Sequence, residues 1–185
     1  ADIELKTADE ALILASIIEK ETGQGRDRPL ISSVFHNRLR LGMPLQTDPT
    51  VIYALELAGK YRGNLTKENL QFDSPYNTYK VAGLPPTPIA NPGKEALEAV
   101  LNPPADPALF FVADGSGGHV FAITYEEHLR NVARWRQIER QKAGLPPETQ
   151  APVAPEASPA PMTDPNAEGG QATLTLPAGA TQGLR

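Results

Sequence analysis

The distribution of proline divides this chain more sharply than any other feature. Eight of its 19 prolines lie beyond Leu145, in a stretch with no aromatic residue and one basic residue, the terminal Arg185. Such a segment cannot bury enough apolar surface to offset its chain entropy. The composition therefore predicts a Pro/Ala-rich disordered tail over residues 145–185, leaving 1–144 as one folded domain with a single core. Cysteine is absent, which excludes disulfides and thiolate metal sites. The net charge is −5 without a basic stripe, so nothing argues for a nucleic-acid partner. No apolar run approaches the ~18 residues of a membrane span, and no signal peptide is visible.

Within the folded part the periodicity predicts helices joined to one hairpin. A first helix is expected over about 8–22, and a second from Pro29 to about Leu41, ended by Gly42. In the second, Ile31, Val34, Phe35 and Leu39 face inward, Asn37 sits at the edge of that arc and His36 points away. Asp48 before Pro49 reads as the N-cap of a short helix reaching about Leu57. Residues 59–92, rich in Gly, Pro and Asn, form a long irregular stretch with one helical turn after Thr66. Such stretches are functional or disordered, and Tyr61, Phe72, Tyr76 and Tyr79 argue for order. A helix over 93–101 follows, then a hairpin of 109–113 and 119–123 around Asp114–Gly118. Thr124 and Glu127 suggest a capping box for a last helix over 125–142. The expected class is α+β, with helices packed around a small β-hairpin.

Glu21 is the residue whose position asks for an explanation. At about 100° per residue, Ile13, Leu14, Ile17 and Ile18 share one arc of the first helix, and Glu21 falls inside it. Glu19 projects elsewhere, near Leu12, Ala15 and Ser16. A carboxyl on an apolar face is poorly solvated when ionised, so its pKa rises. A glutamic acid that stays protonated near neutral pH can donate to a glycosidic oxygen. The alternative is a frayed last turn that lets Glu21 reach solvent.

Other chemistry is thin. His36, His119 and His128 are too scattered for a Ser-His-Asp arrangement, and no spacing suits a metal. The loop Asp114–Gly118 joins two strands, so it lacks the helix dipole of a phosphate cradle, and His119 reads as a structural hydrogen-bonder. Gln46, Thr47 and Asp48, with Tyr76, Asn77, Thr78 and Tyr79, combine amides, hydroxyls and flat rings, the groups that recognise sugars. Ordinary turn chemistry accounts for the same residues. A lysozyme-like pair would need Asp48 or Asp73 as second carboxylate. A single-acid mechanism would instead use the sugar's own hydroxyl and N-acetyl group.

Four runs carry a family resemblance: LASIIEKET (14–22), SVFHNRLRLGMPLQTDPTVIYAL (33–55), SPYNTYKVAGLPPTPIANPG (74–93) and LFFVADGSGGHVFA (109–122). In order and spacing they resemble the YceG-like endolytic murein transglycosylases over about residues 9–140. The resemblance implies a lytic transglycosylase that cuts the β-1,4 bond between N-acetylmuramic acid and N-acetylglucosamine in peptidoglycan without water. A 1,6-anhydromuramyl end would result, terminating or trimming nascent glycan strands. The family's catalytic glutamate falls on Glu21, the residue the helical arc selects. Asn37, Gln46, Thr47, Asp48, Tyr76, Asn77, Thr78 and Tyr79 match family motifs and are expected to bind the sugar. No cofactor or metal is expected. The resemblance implies that family members usually carry an N-terminal membrane helix and a LysM-like subdomain ahead of this domain, neither of which is expected among these residues. The expected parent is therefore anchored in the cytoplasmic membrane, with this domain on the outer side, in the cell envelope, and cell-wall synthases as suggested partners. The alternatives are a hydrolase and a non-catalytic peptidoglycan-binding module.

Overall fold

A computed structural model describes residues 5–146. The Pro/Ala-rich tail expected over 145–185 lies outside them except for its first two residues. The class is α+β: five α-helices and a two-stranded antiparallel sheet among the described residues. In chain order the elements are α1 (Ala8–Glu21), α2 (Arg28–Arg40), α3 (Asp48–Leu57), a 3₁₀ turn (Asn69–Gln71), α4 (Lys94–Leu101), β1 (Phe110–Ala113), β2 (His119–Ala122) and α5 (Tyr125–Lys142). α1 starts with a full capping box. The Thr7 hydroxyl accepts from Glu10 N–H at 3.1 Å, and the Glu10 carboxylate accepts from Thr7 N–H at 3.2 Å. Gly42, at φ +66°, ends α2, a left-handed position that favours glycine.

The core forms where α1 packs against α4, with α2 and α3 alongside. Leu14, Ile17 and Ile18 meet Ile31, Phe35, Leu45, Ala96 and Val100, all but fully buried. Burying a side chain of this size contributes about 1.5–3 kcal/mol before entropy is counted. Ser16, buried on α1, accepts from Ile89 N–H at 2.9 Å and ties the irregular stretch to the helix. Glu19 does similar work at the surface. Its carboxylate accepts from Gly93 N–H, the N-cap of α4, at 3.0 Å and pairs with Arg28 at 3.7 Å. The two glutamates of one helix end thus have different occupations. Glu19 fastens α4.

β1 and β2 pair in register Phe110↔Ala122 to Ala113↔His119, and α5 packs across both. The hairpin loop is held from within, since the Asp114 carboxylate accepts from Ser116 N–H, the Ser116 hydroxyl and Gly118 N–H. It is also pressed against the α1–α2 turn. A Cβ added at Gly118 would come within 2.5 Å of the Arg26 guanidinium, and one at Gly117 within 3.3 Å of the Gln24 amide.

Three local expectations need correction. His36 does not point away. It is 3% exposed, with Nε2 at 3.0 Å from the Val100 carbonyl, because α4 covers a second face of α2. Asp48 is not the N-cap of α3. Thr47 holds that position without a side-chain cap bond, and Asp48 begins the helix proper. The capping box of α5 is half formed. Thr124 accepts from Glu127 N–H, while the Glu127 carboxylate takes Ile123 N–H, one residue too early.

Candidate active site

Glu21 is the last residue of α1 and is half-buried, neither sealed in the core nor frayed into water. Its Oε2 accepts from the Thr47 hydroxyl at 2.6 Å. Burial pushes its pKa above the usual carboxyl range. The Thr47 hydrogen bond opposes this, the nearby Asp48 charge adds to it, and His119 opposes it. The net result is a carboxyl whose acid form burial favours and whose anion has one donor ready in Thr47.

Thr47 is aimed by a closed set of threonines. Its N–H donates to the Thr78 hydroxyl at 3.1 Å, its carbonyl accepts from the Thr50 hydroxyl at 2.7 Å, and the Thr50 and Thr78 hydroxyls lie 2.8 Å apart. One direction of donation satisfies all three, Thr78 to Thr50 to the Thr47 carbonyl, which leaves the Thr47 hydroxyl to Glu21. A threonine at a helix N-cap ordinarily turns its hydroxyl to its own helix, worth about 1 kcal/mol. Here the hydroxyl serves a different helix instead.

Asp48 stands beside this group, and its Oδ1 accepts from the Tyr79 hydroxyl at 2.6 Å. Burial raises the Tyr79 pKa, and its bond to Asp48, the charge of Asp48 and the charge of Glu21 raise it further, so the phenol stays a donor. Gln46 occupies the left-handed region at φ +52°, a strained place for a residue with a side chain. Its N–H donates to the Thr78 carbonyl at 3.1 Å, which fastens that strained turn to the tyrosine-bearing loop.

Not every residue selected from the sequence faces Glu21. Glu21, Thr47, Asp48, Thr78 and Tyr79 form one connected group, with Gln46 next to it. Asn77, fully buried, spends its carboxamide inside its own loop on the Leu70 and Phe72 carbonyls and Tyr79 N–H. Tyr76 packs edge-on against Tyr53 at 5.0 Å and bonds Thr87. The Asn37 amide donates to the Asp106 and Ala108 carbonyls, and its oxygen accepts from Arg40. Asn37 borders a separate cleft of about 360 Å³ lined by Ser33, His36, Arg40 and residues 103–107. Asp106, in that wall, uses its carboxylate on Ala108 N–H, and no member of the Glu21 group reaches the cleft. Asp73 is fully open to solvent and pairs with Lys80.

Two residues of weight went unselected. Arg38 is buried and donates to the carbonyls of Leu109, Pro44 and Leu45 at 2.7, 3.0 and 3.1 Å, with its guanidinium over the Phe110 ring. Burial pushes its pKa down to about 10. It lies on the arc of Ile31, Val34 and Phe35, so the same apolar spacing that marks Glu21 marks it too. Asp27 accepts from His119 at 3.0 Å across 92 positions, a pairing no local signal announces.

The raised Glu21 pKa has a consequence for stability. The folded chain holds this proton more tightly than the unfolded chain, so stability falls as pH rises from the ordinary carboxyl value through the folded one. Each unit of elevation corresponds to about 1.4 kcal/mol. Glu21→Gln keeps the shape and an acceptor for Thr47 without a charge. The variant is expected to melt above the wild type at pH 7–8, with the gap closing toward pH 4. Thermal midpoints measured across that range check it, and a variant melting below wild type at pH 8 would count against a buried, charge-averse Glu21.

No group of three or more candidate metal ligands occurs among the described residues. The arrangement can deliver and retake one proton.

Known proteins share this framework. The YceG-like family matches residues 1–134. The endolytic murein transglycosylase of Bacillus subtilis is 46% identical over 131 residues, covering 71% of this chain and 36% of the relative. The protein of the same name from Streptococcus pneumoniae (strain D39) is 41% identical over 133 residues, covering 69% of this chain and 24% of the relative. The crystal structure of a yceG-like protein from Listeria monocytogenes aligns with a TM-score of 0.61 at 48% identity, covering 66% of this chain and 39% of that one. The chain thus spans about a third or less of the length of these curated relatives.

Proposed function

From the premise that this chain belongs to the YceG-like family, we propose that it is a catalytic portion of an endolytic peptidoglycan lytic transglycosylase with Glu21 as its acid and base. The relatives named as murein transglycosylases support the substrate class. The observation that carries the reaction is Glu21 itself, a carboxyl whose pKa burial raises, with the Thr47 hydroxyl donating to Oε2.

With Thr47 donating to Oε2, the acid proton of Glu21 sits on Oε1. It passes to the glycosidic oxygen as the bond from muramyl C1 breaks. The muramyl N-acetyl carbonyl supports the positive centre at C1. Glu21, now ionised and bonded by Thr47, takes the proton of the C6 hydroxyl, whose oxygen closes onto C1. The cycle returns Glu21 to its protonated state and consumes no water. The product is a 1,6-anhydromuramyl end. General catalysis by one positioned carboxyl supplies about 10²–10⁴-fold. Gln46, Thr47, Asp48, Thr78 and Tyr79 are the members of the expected binding set that stand with Glu21. Asn77 acts by shaping their loop. Asn37 and Tyr76 would touch only more distant sugars.

On the same reading the protein works on the outer side of the cytoplasmic membrane, beside the synthases that make its substrate. No helix among the described residues is long and apolar enough to cross a membrane, so attachment would come from outside them.

Thr47→Val tests the anion-stabilising bond. A hydrogen bond to a charged group contributes about 1.5–3 kcal/mol, so anhydro-end formation should fall about 10–100-fold. The alkaline limb of the pH profile should move up as Glu21 holds its proton longer. Thr47→Ser should keep most of the rate. Initial rates on uncrosslinked glycan strands decide, and a Val variant as fast as wild type would remove Thr47 from the mechanism.

A further inference from the structure

Asp48 is the exposed first residue of α3 and follows Thr47, whose hydroxyl donates to Glu21 at 2.6 Å. The mechanism above gives its carboxylate no task. Three hydrogen bonds fasten residues 46–48 to residues 78–79. Gln46 N–H donates to the Thr78 carbonyl at 3.1 Å, Thr47 N–H to the Thr78 hydroxyl at 3.1 Å, and the Tyr79 hydroxyl to Asp48 Oδ1 at 2.6 Å. Tyr79 is itself anchored, since its N–H donates at 3.0 Å to the carboxamide oxygen of buried Asn77. The phenol therefore fixes which way the Asp48 carboxylate faces. Oδ1 is engaged, while Oδ2 has no donor among the described residues.

An ionised carboxylate only accepts hydrogen bonds, so Oδ2 is suited to a donor on the substrate. Inside a glycan strand the muramyl ring offers few. Its C1 and C4 oxygens are in glycosidic bonds, its C3 oxygen carries the lactyl ether, and its ring oxygen has no proton. Two donors remain, the C6 hydroxyl and the acetamido N–H on C2. The mechanism sends the first to Glu21. The second stands on the carbon next to C1, where Glu21 acts, and it belongs to the same amide whose carbonyl supports the positive centre.

We propose that Asp48 Oδ2 accepts the hydrogen bond of the muramyl acetamido N–H, with Tyr79 as the positioning residue that aims it. This rests on the reading of Glu21 as the acid and base. A carboxylate on the N–H makes the carbonyl oxygen of the amide more electron-rich and holds it turned toward C1. The bond strengthens as positive charge spreads onto the amide, so it favours the transition state over the bound substrate. No covalent bond changes at Asp48, and the amide keeps its proton. A carboxylate occupied in this way is not available to activate water, which fits closure to an anhydro ring rather than a reducing end.

Asp48→Asn separates this role from a simple tie between α3 and the loop. Tyr79 still donates to the carboxamide oxygen, so the amide NH₂ is left facing the substrate N–H, donor against donor. Anhydro-end formation on uncrosslinked strands should fall about 10–100-fold, the size of a lost hydrogen bond to a charged group, and mainly in kcat. Tyr79→Phe keeps the carboxylate but not its aim, and should cost less, about threefold to tenfold. Joining the two substitutions should recover part of the rate lost in Asp48→Asn, because the released carboxamide can turn its oxygen to the substrate. A merely structural bond gives no recovery, and that result removes Tyr79 from the proposal. Short synthetic strands with N-methylated muramyl acetamides keep the carbonyl and lose the N–H. Wild type should cleave them about tenfold or more slowly than the parent strands, whereas Asp48→Asn should treat the two alike. An equal N-methyl effect in both proteins overturns the proposal, and Asp48→Ala takes over that comparison if Asp48→Asn fails to fold. Binding of the two strands to Glu21→Gln, with and without Asp48, needs no reaction. A preference for the N–H strand that depends on Asp48, without anhydro ends from wild type, would refute the transglycosylase and keep the contact. Anhydro ends with no difference between the strands would do the reverse.

Discussion

Glu21→Gln is expected to lower the rate of 1,6-anhydromuramyl end formation by about 10³-fold or more, with glycan binding retained. The variant keeps the volume of the side chain and an oxygen for the Thr47 hydroxyl. It loses the carboxyl that, in the proposed mechanism, gives one proton and takes the next. One positioned acid–base group supplies about 10²–10⁴-fold, and in the proposed mechanism the same carboxyl acts in both directions, so the upper part of that range applies. The experiment incubates uncrosslinked glycan strands with both proteins and reads the products by mass spectrometry, where the anhydro end is lighter by one water than a reducing end. Anhydro ends from wild type alone sustain the mechanism. Reducing ends from wild type mean hydrolysis, and Asp48, whose charge already acts on Glu21, becomes the carboxylate that activates water. Equal glycan binding by the two proteins with cleavage by neither describes a binding module.

The same substitution is expected to raise thermal stability at neutral pH. A loss of rate joined to a gain in melting temperature is the mark of a group placed for chemistry at the expense of the fold. A carboxyl that were merely structural, as Glu19 is at the start of α4, would lose stability on conversion to the amide.

Much of this was legible in the sequence because it depends on periodicity. The helices, the hairpin and the position of Glu21 follow from apolar spacing and from Pro and Gly punctuation, which act within a few residues. His36 was misplaced because a one-sided arc assumes one buried face. α2 is instead covered on several sides, so that Ile31 through Arg38 are buried without a break. Asp-Pro is a strong local cap signal, but Tyr79, 31 positions away, offers its hydroxyl to Asp48 and Thr47 fills the cap position. Asn77 illustrates the general limit. Its residue type suits a sugar and suits a turn equally, and only the three-dimensional partners Leu70, Phe72 and Tyr79 show its carboxamide engaged within the loop.

Arg38→Met is expected to destabilise the fold by about 3 kcal/mol and to impair the site without touching it. The guanidinium has no carboxylate partner among the described residues. It is stabilised instead by three backbone carbonyls, from Pro44 and Leu45 before the site and from Leu109 at the edge of β1, with Gln46 Oε1 a longer fourth contact at 3.4 Å. A methionine fills the volume but leaves those carbonyls unpaired, at about 1–3 kcal/mol each, offset in part because a buried charge no longer has to be kept from water. For a domain of this size the melting temperature should drop by roughly 10 °C. Arg38→Lys should recover little, since one ammonium cannot reach carbonyls on two separate segments as the planar fork does. The effect on activity should exceed what unfolding explains. The carbonyls of Pro44 and Leu45 lead directly into strained Gln46 and then Thr47, so a loosened loop lets the Thr47 hydroxyl leave Glu21. Rates measured well below the melting transition would then fall about tenfold, the size of a lost hydrogen bond of ordinary strength. Rates equal to wild type under those conditions would mean that the threonine triad alone holds Thr47 in place.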